Sequence, residues 1–329
     1  MNYVRANFPK STVRTLAKAL YGLPNAKIRV LGGIANSNYR VTTPKYDLVI
    51  KAYAHGQSTP EKIEKEVAAV ETFRAHGVCV PSFVIGLDGK ILQEYDGFTV
   101  VATKFEKGSL LSKSRLTPAT YFAVGALTAR VELAAAKIPV ANYPCKSFAD
   151  EFADVSTNWK YKFDLTTYNA HLETVKNIIA RLDAAPRKVF LHRDIWPENL
   201  IARPNGDLLL LDFNDWSIGA PEIELANTLL QFGAYKRGRL APDFDLTALR
   251  EIMRGYRSVA RTPFLKGGAP QGAGVFSPAD IWDAALFICY LYFGYNAIQA
   301  KSRRNADAYL GRIAALIKHR TEIFNLISQ

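Results

Sequence analysis

Cysteine is scarce: Cys79, Cys145 and Cys289 stand far apart in a chain of 329 residues. So few and so scattered thiols exclude a disulfide framework or a zinc cage and fit a reducing compartment. Long hydrophobic runs are missing too. The longest, residues 284–295, is about half of what a bilayer crossing needs, and Asp283 abuts it, so it reads as a buried helix. The opening MNYVRANFPKS lacks the apolar stretch of a secretion signal. A cytoplasmic location without a membrane partner is expected. Repeats and low-complexity tracts are absent. With 49% hydrophobic and 22% charged residues, the composition is that of one large globular domain or two closely packed ones.

Acidic residues are in deficit. Forty-two Lys and Arg against 30 Asp and Glu leave a net charge of +12. Residues 236–329 carry 14 basic against 7 acidic residues, with no basic run longer than residues 301–304. Zinc-finger spacing and the aromatic strand pattern of RNA binders are absent, so no nucleic-acid partner is expected. A basic surface that attracts anionic small molecules is the simpler reading.

Apolar periodicity divides the chain. A helix is expected over residues 11–21, with Ser11 as N-cap and Gly22 as stop. Strand-like runs follow at 28–31, 38–43 and 48–53, the last two joined by Pro44-Lys45. A charged helix over 60–76 opens on Pro60. Further strands are predicted at 82–85, 91–95 and 98–105, with Asp88-Gly89 and Asp96-Gly97 as hairpin turns between them. From Thr117 onward the pattern is mainly helical, interrupted by short strands near 189–211. The expectation is an α+β fold of two unequal lobes joined near 105–109: a sheet-rich lobe over 1–105 and a larger helical lobe over 106–329.

The stretch KVFLHRDIWPENLIARPNGDLLLLDFNDW carries the chemistry. An apolar strand runs into His192-Arg193-Asp194, and Asn199 follows five residues after Asp194. A hairpin through Asn205-Gly206 then leads to a second apolar strand that ends on Asp212. Phosphoryl transfer from ATP needs a carboxylate to accept the hydroxyl proton. It also needs a second carboxylate with a neutral oxygen ligand to hold Mg²⁺ on the β- and γ-phosphates. Asp194 suits the first role; Asp212 and Asn199 suit the second. Singly, each would be an ordinary cap or turn residue. Together, at two successive strand ends, turn chemistry does not account for them.

These residues resemble the aminoglycoside phosphotransferase and choline kinase superfamily, small-molecule kinases with a protein-kinase-like two-lobed fold. The likeness covers most of the chain and is strongest over 188–226. It implies Asp194 as catalytic base, Asn199 and Asp212 as Mg²⁺ ligands, His192 as an ordering residue, and ATP as phosphoryl donor. In the smaller lobe, LGGIANSNYRV puts Gly33 and Asn36 in a turn whose amides suit phosphate oxygens. Lys51 ends the apolar run Leu48-Val49-Ile50, and Glu66 lies fifteen residues on, eleven before Gly77 of GVCVP. The resemblance implies that Lys51 contacts the α/β-phosphates and pairs with Glu66, for which Glu61, Glu64 and Glu71 compete on pattern alone. Residues 100–105 are expected to offer backbone groups to adenine. Trp196 and Asp215, beside the catalytic positions, and Trp282 and Asp283, further on, are candidate substrate contacts. The chain departs from the family pattern in two places. Arg193 stands where the family usually has Gly, and Gly219-Ala220-Pro221 and Glu224-Leu225-Ala226 replace Gly-Asp-Pro and Asp-Leu-Ala.

Three rivals were weighed. A protein kinase is disfavoured because only the seven residues 213–219 separate Asp212 from Ala220, too few for an activation loop, and G-x-G-x-x-G is missing. A catalytically silent binding module would not need the proton acceptor Asp194. An aminoglycoside kinase would need an acidic pocket for its polycationic substrate, against the basic balance of 236–329. The GIANSNYRV segment resembles the homoserine kinase branch. The acceptor expected is therefore a hydroxylated amino acid such as homoserine, an amino alcohol or a sugar derivative. Arg254, Arg257, Arg261, Lys301, Arg303 and Arg304 are candidates for an anion clamp, and the Gly/Pro-rich stretch 266–278 for a loop near the substrate.

Overall fold

A computed structural model of the chain describes residues 4–33, 36–56, 58–236, 239–260, 276–299 and 302–328. Helix α1 (Lys10–Tyr21) is followed by strands β1 (Lys27–Gly32), β2 (Ser37–Thr42) and β3 (Asp47–Ala52), then α2 (Pro60–Ala75), β4 (Phe83–Val84), β5 (Gln93–Tyr95) and β6 (Phe98–Lys104). The strands form one antiparallel sheet in the order β1-β2-β3-β6-β4, with β5 also paired to β6. Alternation decides what each face meets. Tyr39, Val41, Leu48, Ile50 and Ala52 turn toward Val13, Leu16 and Ala17 of α1. The opposite face, with Val101, packs on Ile63 of α2 beside Tyr53. Lys51, out of phase with Ile50 and paired in register with Val101, projects on that second side.

Two local expectations change. Helix α1 starts at Lys10 with Pro9 in the N-cap position and no side-chain cap, so Ser11 lies within the first turn. The Asp88-Gly89 turn closes through Gly86 N–H to the Lys90 carbonyl at 2.8 Å. The strands on either side of it do not pair with each other, because β4 and β5 each pair with β6. Asp96-Gly97, with φ of 52° and 74°, does make the tight hairpin between β5 and β6.

The remainder is mainly helical: β7 (Ser109–Leu110), α3 (Pro118–Ala135), α4 (Phe148–Val155), α5 (Thr166–Asp183), β8 (Val189–Leu191), β9 (Leu200–Ala202), β10 (Leu208–Leu210), β11 (Ser217–Gly219), α6 (Glu222–Gly233), β12 (Tyr235–Lys236), β13 (Arg239–Leu240), α7 (Leu246–Ala260), α8 (Pro278–Ala297), α9 (Arg303–Lys318) and α10 (Arg320–Ser328). Helix α8 is the apolar run read from the sequence, buried along most of its length. Helices α3 and α7 cross closely at glycines: a Cβ on Gly125 would lie 1.9 Å from the Ile252 carbonyl oxygen. Three short sheets form among these helices: β9 pairs with β10 and β7, β8 pairs with β11, and β12 pairs with β13. The residues after β8 and β10 therefore emerge next to the sheet's α2 face. Among the described residues no helix is long and apolar enough to cross a membrane.

Candidate active site

Lys51 reaches from the sheet to the end of β10. Its Nζ donates to Asn214 Oδ1 at 2.8 Å and to Asp212 Oδ1 at 3.2 Å. It also lies 3.6 Å from Glu66 Oε1 on α2. Glu66 is buried and accepts the Tyr53 hydroxyl at 2.8 Å. Burial alone would lower the Lys51 ammonium; the Asp212 and Glu66 carboxylates overcome that and hold it above its ordinary range. Burial likewise pushes Glu66 up, against the pull of Lys51. Of the four glutamates open on pattern, Glu66 is the one joined to Lys51. Asn214 and Tyr53 complete the cluster and were not read from the sequence.

The loop after β8 is fastened from several sides. His192 is fully buried; its Nδ1 accepts the Asp194 amide at 3.1 Å, and its Nε2 meets the Leu211 carbonyl at 3.0 Å. Burial lowers the imidazole to about 4, so the ring is neutral and Nε2 carries the proton. Phe213 stands edge-on to His192, ring centres 4.4 Å apart, and packs on Phe73 of α2. Arg193 adopts a φ of 64° where glycine would be unstrained. Its amide is held by Glu224 at 3.2 Å and its guanidinium by Glu151 at 2.9 Å. Its carbonyl accepts from Tyr292 at 2.7 Å and from Asn227. Glu224 also takes the His192 amide, so the departure from the family's Asp-Leu-Ala braces the loop. Burial raises the Glu224 carboxyl to about 7, with the two amides pulling the other way.

Asp194 and Asn199 come together: Asn199 Nδ2 donates to the Asp194 carbonyl at 3.1 Å and to its carboxylate. Asp194 is raised well above the carboxylate range by burial and then by the charges of Asp215 and Asp212, with Asn199 opposing. Asp212, at a φ of 58°, is instead held low, because Lys51 outweighs the effect of burial. Asp215 is pushed up by burial and by Asp212. Three carboxylates thus share one region, Asp194 and Asp215 pushed upward and Asp212 held low, with the Asn199 amide beside them. That oxygen-only donor set suits a hard divalent cation. Among the described residues no three His, Cys, Asp or Glu side chains converge as a metal cage. Mg²⁺ needs none, since it keeps several waters and takes one or two carboxylates together with phosphates.

The other candidates separate. Gly33 has a φ of 134°, and a Cβ there would lie 2.3 Å from the Asn36 carbonyl oxygen. The Asn36 side chain turns inward and accepts the Ala54 amide at 2.9 Å; residues 34 and 35 lie outside the described residues. Residues 100–104 are already laddered to β3, and the Lys104 and Phe105 amides donate to Ser82 and Asp47. Trp196 keeps a buried Nε1 without a partner. Trp282 is core, its Nε1 on the Leu316 carbonyl, and Asp283 pairs with Arg181 at 2.9 Å. Arg254 pairs with Glu251, Arg257 bonds the Ile327 carbonyl, and Arg303 faces Asp307. Arg304 is exposed. Arg261, Lys301 and residues 266–275 lie outside the described residues.

A sheet with a helix-borne glutamate behind its lysine, set against a mainly helical region, is the protein-kinase-like fold of small-molecule kinases. The chain superposes on an amicoumacin kinase solved with AMP-PNP, Ca²⁺ and amicoumacin, with a TM-score of 0.71 at 18% identity over 97% of this chain and 94% of that one. A microcompartment-associated aminopropanol kinase gives 0.69 at 18% identity over 95% and 98%. A choline/ethanolamine kinase family protein from Mesorhizobium loti gives 0.66 at 16% identity over 97% and 98%. In sequence, the homoserine kinase of Paramagnetospirillum magneticum is 23% identical over 240 residues, 69% of this chain and 70% of that protein. The pattern of the phosphotransferase enzyme family matches residues 27–261, and the chain belongs to that family. It is a phosphotransferase with an alcohol group as acceptor.

Proposed function

We propose that the chain moves the γ-phosphate of ATP to a hydroxyl of a small molecule, a hydroxylated amino acid such as homoserine, an amino alcohol or a sugar derivative. The observation that carries this reading is the bridge from Lys51 to Asp212, which brings the sheet's only kinase-like lysine to the carboxylate at the β10 end. In this reading residues 1–105 hold the nucleotide and 106–329 the acceptor, in the cytoplasm. Lys51, fixed by Glu66, meets the α/β-phosphates, and the turn of Gly33 and Asn36 lends its backbone to phosphate oxygens. Asp212 and the Asn199 oxygen hold Mg²⁺, which when bound neutralises phosphate charge. Asp194 takes the hydroxyl proton, its carboxylate kept in place by Asn199. Trp196 and Asp215 border the acceptor.

The test is Asp194→Asn, which keeps the hydrogen bond to Asn199 within reach while removing the base. Its kcat should drop about 10²–10⁴-fold, the range of general-base contributions, with ATP affinity near that of the parent. Coupled ADP formation with a set of hydroxyl metabolites gives kcat, and nucleotide titration gives affinity. An undiminished kcat removes Asp194 from the base role.

A further inference from the structure

Among the described residues, one buried guanidinium leaves both of its terminal nitrogens without a hydrogen-bond partner. Arg312 of α9 is fully buried. Its Nε donates to the Ala241 carbonyl at 3.0 Å, and its guanidinium carbon lies 4.6 Å from the centre of the Tyr309 ring. Among the described residues Nη1 and Nη2 have no hydrogen-bond partner. Folded proteins leave few buried polar groups unpaired. A guanidinium cannot escape the cost by shedding its proton, as a buried lysine does.

The surroundings lead back to the loop that carries Asp194. The Tyr309 hydroxyl accepts from Gln231 Nε2 at 3.2 Å, and Asn227, four residues before Gln231, donates to the Arg193 carbonyl. The Tyr309 ring meets Tyr292 with centres 5.5 Å apart, and Tyr292 donates to that same carbonyl. Tyr309, raised first by its burial, also feels the charge of Arg312, which lowers it, and more weakly that of Asp194, which raises it. Beside Tyr309, Gln231 Oε1 is also without a partner among the described residues. Unpaired buried polar groups of this kind are what a polar ligand would satisfy.

We propose that Arg312 receives a carboxylate borne by the acceptor, which makes the substrate a hydroxy acid or a hydroxylated amino acid. The proposal rests on the phosphotransfer reading for calling that molecule the acceptor. The two free nitrogens form a planar fork that matches two carboxylate oxygens, and one guanidinium balances one monoanion. A polycationic acceptor would meet a buried like charge. The candidates at 254–304 chosen on charge alone missed this residue, which the sequence hides in the apolar face of α9.

The experiment reads binding apart from turnover. Thermal unfolding of the full chain is followed with L-homoserine, 4-hydroxybutyrate, 3-aminopropan-1-ol (homoserine without its carboxylate) and glycerol 3-phosphate, for the parent chain and for Arg312→Met and Arg312→Lys. The parent should gain Tm with the two carboxylates and not with aminopropanol. Arg312→Met should bind homoserine at least ~30-fold more weakly, the lower range for losing one member of a buried charge pair. Without ligand it should be as stable as the parent or more so, because an unpaired buried charge has gone. Arg312→Lys keeps the charge but not the fork and should bind with intermediate affinity, and it carries the test alone should the Met variant not fold. An equal homoserine response in parent and variants, equal responses to homoserine and aminopropanol, or a response to glycerol 3-phosphate alone overturns the carboxylate site. ADP formation is measured separately. Its absence from the parent with every acceptor would refute phosphotransfer, while the shifts still decide the fate of Arg312.

Discussion

Replacing Lys51 by Met separates what the lysine does for the fold from what it does for turnover. The side chains of Lys51 and Glu66 are 16% and 6% exposed, so both charges are largely withdrawn from water. Removing one member of a buried pair costs about 3–5 kcal/mol, because the other stays buried uncompensated. Here Glu66 keeps the Tyr53 hydroxyl and is already pushed toward its neutral form by burial, so the lower end applies, about 3 kcal/mol. At about 2–4 °C per kcal/mol for large domains, Tm should fall by roughly 6–12 °C. In Lys51→Met with Glu66→Gln, the amide oxygen still accepts from Tyr53, and the one carboxylate that loses its lysine, Asp212, has a side chain 46% exposed to water, so most of that loss should return. Activity should not. Both variants should stay about 10²–10³-fold below the parent in kcat, the usual cost of losing a charge positioned on the reacting phosphates. Calorimetric unfolding and coupled ADP formation on the same preparations give the two numbers. Recovery of turnover in the double variant would mean that Lys51 serves only to neutralise Glu66. A single variant as stable as the parent would refute the buried-pair argument itself.

Asp212→Ala should raise the Mg²⁺ concentration for half-maximal turnover, since it removes the ionised carboxylate from an oxygen site with few protein ligands. Metal titration checks it, and an unchanged requirement at full activity would place Asp212 outside the metal site. Glu224 should impose a pH dependence on stability. Its folded value, raised from 4.5 to about 7, means that its contribution is complete below pH 4.5 and is lost as pH rises through about 7, some ~3 kcal/mol in all. Denaturant midpoints taken from pH 5 to 8 should therefore decline more steeply for the parent than for Glu224→Gln, and equal slopes would contradict the assignment.

What was legible in the sequence is local or periodic. His192, Asp194 and Asn199 sit within eight residues, and strand alternation alone places Lys51 opposite Ile50. Gly22 stops α1 with a φ of 65°, as its position implied. What was not legible depends on approach in space. Asn214 reads as a turn residue until the sheet brings Lys51 to it, and Glu224 reads as a defect in a motif until α6 presents it to two backbone amides. Ser11 failed as a cap because the helix begins at Lys10, with Pro9 in the N-cap position, so Ser11 is already helical. Asp88-Gly89 supplies a turn, but β6 offers both flanking segments a longer partner than either offers the other. For Arg312 a signal did exist. Ala306, Tyr309, Ile313 and Leu316 form a buried stripe on α9, and an arginine at its border that stays buried is out of place on a merely structural helix.

The ammonium of Lys51 rests on Asp212 at 3.2 Å, on the very carboxylate that the proposed metal would need. The lysine is in effect a resident counter-ion. Phosphate oxygens arriving beside it offer the ammonium a second, denser set of negative charge, and whatever fraction of its attention they draw away leaves Asp212 free for a divalent ion. Nucleotide and metal are then thermodynamically linked through one side chain. By reciprocity, each must tighten the binding of the other by the same factor. With the site filled as proposed, the metal would be taken up poorly by itself and held firmly as part of a metal–nucleotide pair.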